Sequence, residues 1–122
     1  MAKSHHTFGD LLRATRVAKG YSLRKFAQMA DMSPTYLSQV EQGKIERPPT
    51  ADRVQKMAEL LGQNVDEWIA LAGRVSKEME QILHSNPEGM PALLRAAKGL
   101  TAEQLRQLAE EAERKKQPGG SR

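Results

Sequence analysis

The residues whose chemistry is most informative lie in one stretch, residues 22–43, where two short helical patterns are joined by a tight turn. A small residue, Ala27, stands where the two helices must approach each other, and Met32, Leu37 and Val40 complete an apolar seam between them. Packing of this seam leaves the outer face of the second helix free. An α-helix fits the roughly 12 Å wide major groove of B-DNA. The second helix therefore has the free face and the diameter that contact with duplex DNA requires.

The other residues that could do chemistry lack the partners that a reaction or a metal would need. His5, His6 and His84 have no carboxylate or cysteine at metal-ligand spacing, and the chain contains no cysteine. No nucleophile elbow, Gly-rich phosphate loop or paired-carboxylate pattern accompanies Ser4 or the acidic residues. We therefore expect no catalytic residue, no metal site and no cofactor.

Composition favours a helical protein without a membrane segment. Only 4% of the 122 residues are aromatic, whereas Leu and Ala recur with Glu, Gln, Lys and Arg, which favours helices held by aliphatic packing. This length excludes a large enzyme with separate cofactor and substrate domains. The net charge of +4 suits a polyanionic partner but is modest. No segment approaches the roughly 20 apolar residues of a membrane span, so we expect a soluble cytoplasmic protein.

Residues 1–73 are predicted to form one domain of five helices. The expected helices are residues 8–19, 22–30, 33–42, 51–61 and 65–72. Their starts are indicated by the N-cap residues Ser22, Ser33, Thr50 and Asn64. Glycines mark the ends of four of them, and Asp31 with Met32 interrupts the second. In the first helix, the apolar residues from Phe8 to Val17 indicate one buried face.

Residues 74–116 are predicted to form a smaller helical segment. Its helical patterns cover about residues 76–84, 92–98 and 101–116. The breaker residues 86–91, which include two prolines, separate the first two patterns, and Thr101 with Gln104 forms a capping box before the third. The Gly- and Pro-containing residues 117–122 are expected to be a disordered tail.

The segment from Phe8 to Leu71 resembles the lambda-repressor and Cro-type helix-turn-helix family of transcriptional regulators, also called the xenobiotic-response-element family. The resemblance rests on Ala27, Ser33, the run Leu37-Ser38-Gln39-Val40-Glu41-Gln42-Gly43-Lys44, and Pro48. Leu23 departs from the pattern, because many relatives have a DNA-contacting glutamine there. The resemblance implies an all-α fold, in which a five-helix DNA-binding domain precedes the helical C-terminal segment. It also implies a function other than catalysis.

The resemblance places four residues on the DNA-facing side of the second motif helix. These expected base contacts are Pro34, Thr35, Ser38 and Gln39. Gln39 is the main candidate, because its amide can both donate to and accept from adenine in the major groove. Thr35 can hydrogen-bond a base or pack its methyl group on thymine, whereas Pro34 offers only apolar contact.

A second set of residues is expected to hold DNA phosphates, which fixes the position of the protein without reading sequence. These residues are Ser33, Tyr36, Gln42, Lys44 and Arg47, with Arg24 and Lys25 in the preceding helix. The resemblance also implies a buried ion pair between Arg16 and Glu41. Its role would be architectural.

The C-terminal segment contains an apolar set that so small a segment cannot bury alone. The set consists of Leu93, Leu94, Leu100, Leu105 and Leu108. We expect these leucines to form a homodimer interface, which would place two recognition helices roughly 34 Å apart on a palindromic operator. The sequence thus favours a homodimeric repressor that binds double-stranded DNA.

Other roles stay open at this stage. The C-terminal helices could fold back on the first domain or bind a separate regulatory protein. The chain could be a DNA-binding antitoxin whose C-terminal helices hold a toxin. In a reading outside DNA binding, the five-helix unit would be an adaptor for protein or RNA interaction.

Overall fold

The computed structural model describes residues 7–116, and every regular element in that range is a helix. The helices are α1 (Phe8–Ala18), α2 (Leu23–Met29), α3 (Pro34–Gln42), α4 (Ala51–Leu60), α5 (Val65–Leu71), α6 (Lys77–Ser85), α7 (Gly89–Ala97) and α8 (Ala102–Lys116). The predicted all-α class is confirmed. The tail expected at residues 117–122 lies outside the described residues.

The chain divides into two compact units, Met1–Glu80 and Gln81–Arg122, and the division lies within α6. The domain boundary after Gly73 stays a prediction. Within residues 7–116, no helix combines the length and the apolar character that crossing a membrane requires.

Helices α1 to α5 each begin at a residue whose side chain caps the helix. The cap oxygen accepts a hydrogen bond from the backbone N–H three residues later, which satisfies a donor that has no partner within the helix. The caps are Thr7, Ser22, Ser33, Thr50 and Asn64, at donor–acceptor distances of 2.8 to 3.3 Å. All but Thr7 are the caps that the sequence predicts.

The hydrophobic core of the first unit draws on helices α1 to α5. Its buried side chains are Leu12, Phe26, Ala27, Ala30, Leu37, Val40, Val54, Met57, Ala58, Leu61, Trp68, Ile69 and Ala72. The rings of Phe8 and Trp68 meet edge to face with centroids 5.5 Å apart, which ties α1 to α5. In the predicted seam, Ala27, Leu37 and Val40 are buried and Met32 is half-buried against the core.

The inward face of α1 differs from the expected one. Leu12 is fully buried and Arg16, one turn later, is only 7% exposed, whereas Val17 is 56% exposed. Arg16 enters the core because it meets Glu41 there. The predicted burial of Val17 is therefore wrong, because a count of apolar spacing does not detect a buried pair of opposite charges.

Between Gln81 and Lys116, the described part of the second unit has helices but no buried side chain. None of the residues of α7 or α8 is buried. Helix α7 begins at Gly89, three residues before the predicted start. Pro91 lies in its first turn, where the backbone N–H that a proline lacks would have no partner within the helix. The predicted capping box is confirmed: Gln104 N donates to Thr101 Oγ1 at 3.1 Å, and Thr101 N donates to Gln104 Oε1 at 2.9 Å.

Candidate nucleic-acid interface

Helix α3 is fixed at both ends. At its start, the Ser33 hydroxyl accepts from Tyr36 N at 3.0 Å, and Pro34 occupies the first helical position. At its end, Gly43 adopts a left-handed conformation with φ of 72°, and Lys44 N donates to Gln39 O at 2.9 Å. The chain therefore leaves α3 in a defined direction, and the backbone of Lys44 is held next to the end of the helix.

One face of α3 is packed closely against α1. Leu37 and Val40 are at most 3% exposed. Gly9 of α1 touches the α3 backbone so closely that a Cβ atom on it would lie 2.4 Å from Val40 O and 2.6 Å from Glu41 O. Only a glycine fits this contact without displacing α3. The sequence around Gly9 contains no local signal for this contact, because the partner residues lie on another helix.

The ion pair implied by the resemblance is present between α1 and α3. Arg16 Nε donates to Glu41 Oε2 at 2.7 Å, and a second guanidinium nitrogen donates to Glu41 Oε1 at 3.0 Å. The remaining terminal nitrogen donates to Tyr21 O at 2.8 Å. The hydrogen bond to Glu41 raises the pKa of Arg16 above its ordinary value, although burial opposes the rise. The pair is thus a bidentate clamp that holds α3 on α1.

The opposite face of α3 is open. Thr35 and Gln39 are exposed, and Pro34 and Ser38 are half-buried. Thr35, Ser38, Gln39 and Gln42 are spaced so that they share one side of the helix. Gln42 Nε2 donates to Ser38 Oγ at 2.7 Å, which joins two members of this side. Of the residues predicted to contact bases, Thr35, Ser38 and Gln39 therefore share this side, and Pro34 lies one turn before Ser38. These four residues are called the strip below.

The predicted phosphate ligands surround this strip from three elements. Arg24 and Lys25 lie in the first turn of α2, and Lys44 and Arg47 follow the end of α3; all four are exposed. Ser33 and Gln42, at the two ends of α3, are exposed as well, whereas Tyr36 is half-buried. Glu46 is also exposed in the loop and reduces its positive charge. The surface thus offers hydrogen-bonding groups flanked by cations.

Comparison with known proteins places this geometry in a family. Residues 12–68 match the family described as Helix-turn-helix. The transcriptional regulator ClgR of Mycobacterium tuberculosis is 28% identical over 81 residues, which cover 66% of this chain and 70% of ClgR. The clp gene regulator ClgR of C. glutamicum is 32% identical, and its crystal structure matches 54% of this chain and 83% of its own with a TM-score of 0.45. The chain belongs to the lambda-repressor-like helix-turn-helix family.

A third relative is SinR, a master regulator for biofilm formation, whose crystal structure contains DNA. It is 27% identical to this helix-turn-helix protein over 52% of the chain and 98% of SinR, with a TM-score of 0.47. ClgR of Mycobacterium tuberculosis is a transcriptional regulator by name. The family to which this chain belongs is one of DNA-binding transcriptional regulators.

One further cation of this helix-turn-helix protein, Arg53, lies beside α3 and has no local sequence signal that marks it. The Arg53 guanidinium, from the first turn of α4, lies over the ring of Tyr36 with its Cζ 4.9 Å from the ring centroid. The two residues are seventeen positions apart on different helices. No local spacing rule connects them, so only the tertiary fold brings them together.

Proposed function

We propose that this protein is a homodimeric transcriptional repressor that inserts α3 into the major groove of a palindromic operator. The observation that carries the proposal is the two-sided character of α3. One side is held against α1 by buried side chains and the Arg16–Glu41 pair, while the side with Thr35 and Gln39 faces solvent. A rigid helix with an open polar side is what direct contact with base edges requires.

Base contact is assigned to the strip formed by Pro34, Thr35, Ser38 and Gln39. Gln39 lies one turn after Thr35, so both side chains can reach adjacent base pairs. The hydrogen bond from Gln42 uses a lone pair of the Ser38 hydroxyl and leaves its proton available to a base acceptor.

Phosphate contact is assigned to the residues that surround the strip. Lys44 begins at the capped end of α3, and Arg47 follows it in the same loop. The other assigned residues are Ser33, Tyr36, Gln42, Arg24 and Lys25. Contacts of this kind fix the register of the helix in the groove and make binding sensitive to salt.

The dimer is assigned to the C-terminal helices. The five leucines of the predicted set are between 37% and 55% exposed; four of them lie on α7 and α8, and Leu100 lies between these two helices. Ile82, at the end of α6, is 39% exposed. Side chains of this type are buried in stable proteins far more often than not, so the set supports contact with a second copy.

The proposal is tested by mobility-shift titration of the full chain against genomic fragments, followed by footprinting of the fragment that binds most tightly. We expect specific binding that weakens steeply with salt, and protection of two symmetry-related half-sites about 34 Å apart, one turn of DNA. Transcription in vitro from a promoter that contains the site should fall. Binding to RNA alone, or protection of a single half-site, contradicts the proposal.

A further inference from the structure

Arg53 is held next to α3 by an aromatic contact and by no carboxylate. Its Cζ lies 4.9 Å from the Tyr36 ring centroid, within the range of a cation–π interaction. The ion pairs of residues 7–116 involve Arg16, Arg106 and Lys116, and Arg53 is absent from them. The Arg53 side chain is exposed. A guanidinium that rests on a ring face still has N–H donors for an oxygen acceptor.

The position of this charge follows from the two helices that carry it. Tyr36 follows Thr35 directly in α3, and its backbone N–H is bound to Ser33. Arg53 lies in the first turn of α4, where Thr50 Oγ1 accepts from its backbone N–H at 3.3 Å. Both backbones are therefore fixed by helix caps. The ring contact places the guanidinium beside Tyr36, in the N-terminal half of α3.

We infer that Arg53 is a DNA-phosphate ligand whose guanidinium is positioned by the ring of Tyr36. Through this residue, α4 binds the DNA sugar-phosphate backbone beside the bases that α3 contacts. This inference rests on the proposed function. A phosphate fits better than a base, because Arg53 projects from the neighbouring helix and not from the strip. Its planar donor set also matches two phosphate oxygens.

Salt-dependent binding to a duplex of arbitrary sequence measures this contact, since phosphate contacts do not depend on base sequence. The probe is a fluorescent 20-base-pair DNA duplex, followed by anisotropy between about 50 and 200 mM salt. For Arg53→Ala we expect the slope of log Kobs against log salt to fall in magnitude by about 0.9 per bound chain. At the lowest salt, binding should weaken about tenfold.

Lys19→Ala is the matched control, because it also removes one exposed positive charge from the first unit. Lys19 Nζ lies 3.7 Å from the position that a Cβ atom on Gly62 would occupy. Gly62 follows the C-terminal end of α4, so Lys19 lies at the opposite end of this helix from Arg53. We expect its salt slope to equal that of the wild type. Melting followed by circular dichroism checks that both variants are folded.

The role of Tyr36 is tested by combining variants. Tyr36→Phe keeps the ring and removes the hydroxyl, so Arg53→Ala should weaken binding by the same factor in this background as in the wild type. Tyr36→Leu keeps apolar volume but removes the ring, so the same substitution should weaken binding less than about twofold there. An unchanged factor in the Tyr36→Leu background contradicts positioning by the ring.

Failure of this inference and failure of the proposed function give different results. If Arg53→Ala keeps the wild-type slope while Lys44→Ala lowers it, the protein binds DNA without Arg53 and the inference is overturned. If the wild-type chain binds neither the duplex nor any genomic fragment, the proposed function itself fails.

Discussion

Gln39 and Lys44 are expected to contribute to DNA binding in different ways. Gln39 lies on the exposed side of α3 and has an amide that can both donate and accept, as the major-groove edge of adenine requires. Lys44 is a point charge at the end of the helix and can only donate. Any phosphate satisfies Lys44, whereas only some base pairs satisfy Gln39. The two residues should therefore separate specificity from affinity.

Gln39→Ala should reduce discrimination between the operator and its single-base variants by about 1–3 kcal/mol at one position, because the amide pairs with one base. Lys44→Ala should weaken binding to all these duplexes by a similar factor. Competition mobility shifts with a panel of duplexes measure both effects. An equal loss on every duplex from Gln39→Ala would show that this side chain does not read sequence.

The Arg16–Glu41 pair is expected to govern stability. Glu41→Ala removes the acceptor of two guanidinium hydrogen bonds in a buried place, and should cost roughly 3–5 kcal/mol. Replacing both partners, as Arg16→Met with Glu41→Leu, should recover most of that loss because no charge is left buried. Urea unfolding of the three chains measures this. A loss of less than about 1 kcal/mol in the free energy of unfolding for Glu41→Ala is the value expected of a solvent-exposed ion pair, and it would contradict this prediction.

The pH dependence of this contribution follows from the direction of the Arg16 pKa shift. The pKa is raised in the folded state, chiefly by the hydrogen bond to Glu41. Stabilisation from a raised pKa is fully present below the unfolded value and is lost only as the pH rises through the folded value. For an arginine both values lie far above neutral pH. Arg16 therefore contributes no pH dependence of stability in the neutral range.

At the level of helices, the sequence predicts what is local. Ser22, Ser33, Thr50 and Asn64 cap their helices because a cap needs only its own oxygen and an N–H three residues later. The strip on α3 was predictable too, but only through the resemblance to a family. Polar residues on an exposed helix side do not by themselves reveal a partner.

Contacts between helices were predictable only in part. The exposure of Val17 follows from the Arg16–Glu41 pair, which joins residues 25 positions apart. The contact of Gly9 with Val40 O and that of Arg53 with Tyr36 likewise depend on how the helices pack. Helical periodicity is a property of one segment and contains no information about such pairs.

Gly9→Ala tests the close approach of α1 to α3. An alanine usually stabilises a helix relative to glycine by about 0.5–1 kcal/mol. Here its Cβ would lie 2.4 Å from Val40 O, and α1 and α3 must move apart to admit it. We expect a net destabilisation of about 1–3 kcal/mol, measured by urea unfolding, with weaker operator binding in parallel. A more stable Gly9→Ala chain would contradict this packing.

For the molecule as a whole, the two units differ in how they bury apolar side chains. The first unit encloses its core among five helices, with side chains such as Phe26 and Leu37 fully buried. In the described part of the second unit no side chain is buried, and Leu93, Leu94 and Leu105 remain more than 40% exposed. A segment of this size cannot make a core for itself. Its leucines need a partner surface, which we assign to a second copy.

Leu105→Glu combined with Leu108→Glu tests that assignment in the full chain. Both leucines lie on one side of α8, so two charges there should prevent two copies from pairing. The control is Gln107→Glu, which adds one charge on the opposite side of the same helix. Sedimentation should give a dimer for the wild type and the control, and a monomer for the double variant.

Loss of the dimer should also weaken binding to the operator, because two linked recognition helices bind two half-sites with an avidity that one helix lacks. The double variant should therefore bind the operator about 100-fold more weakly or worse, while its affinity for a single half-site is unchanged. A wild-type chain that sediments as a monomer at micromolar concentration would contradict the homodimer. The leucines would then belong to contact with a different protein.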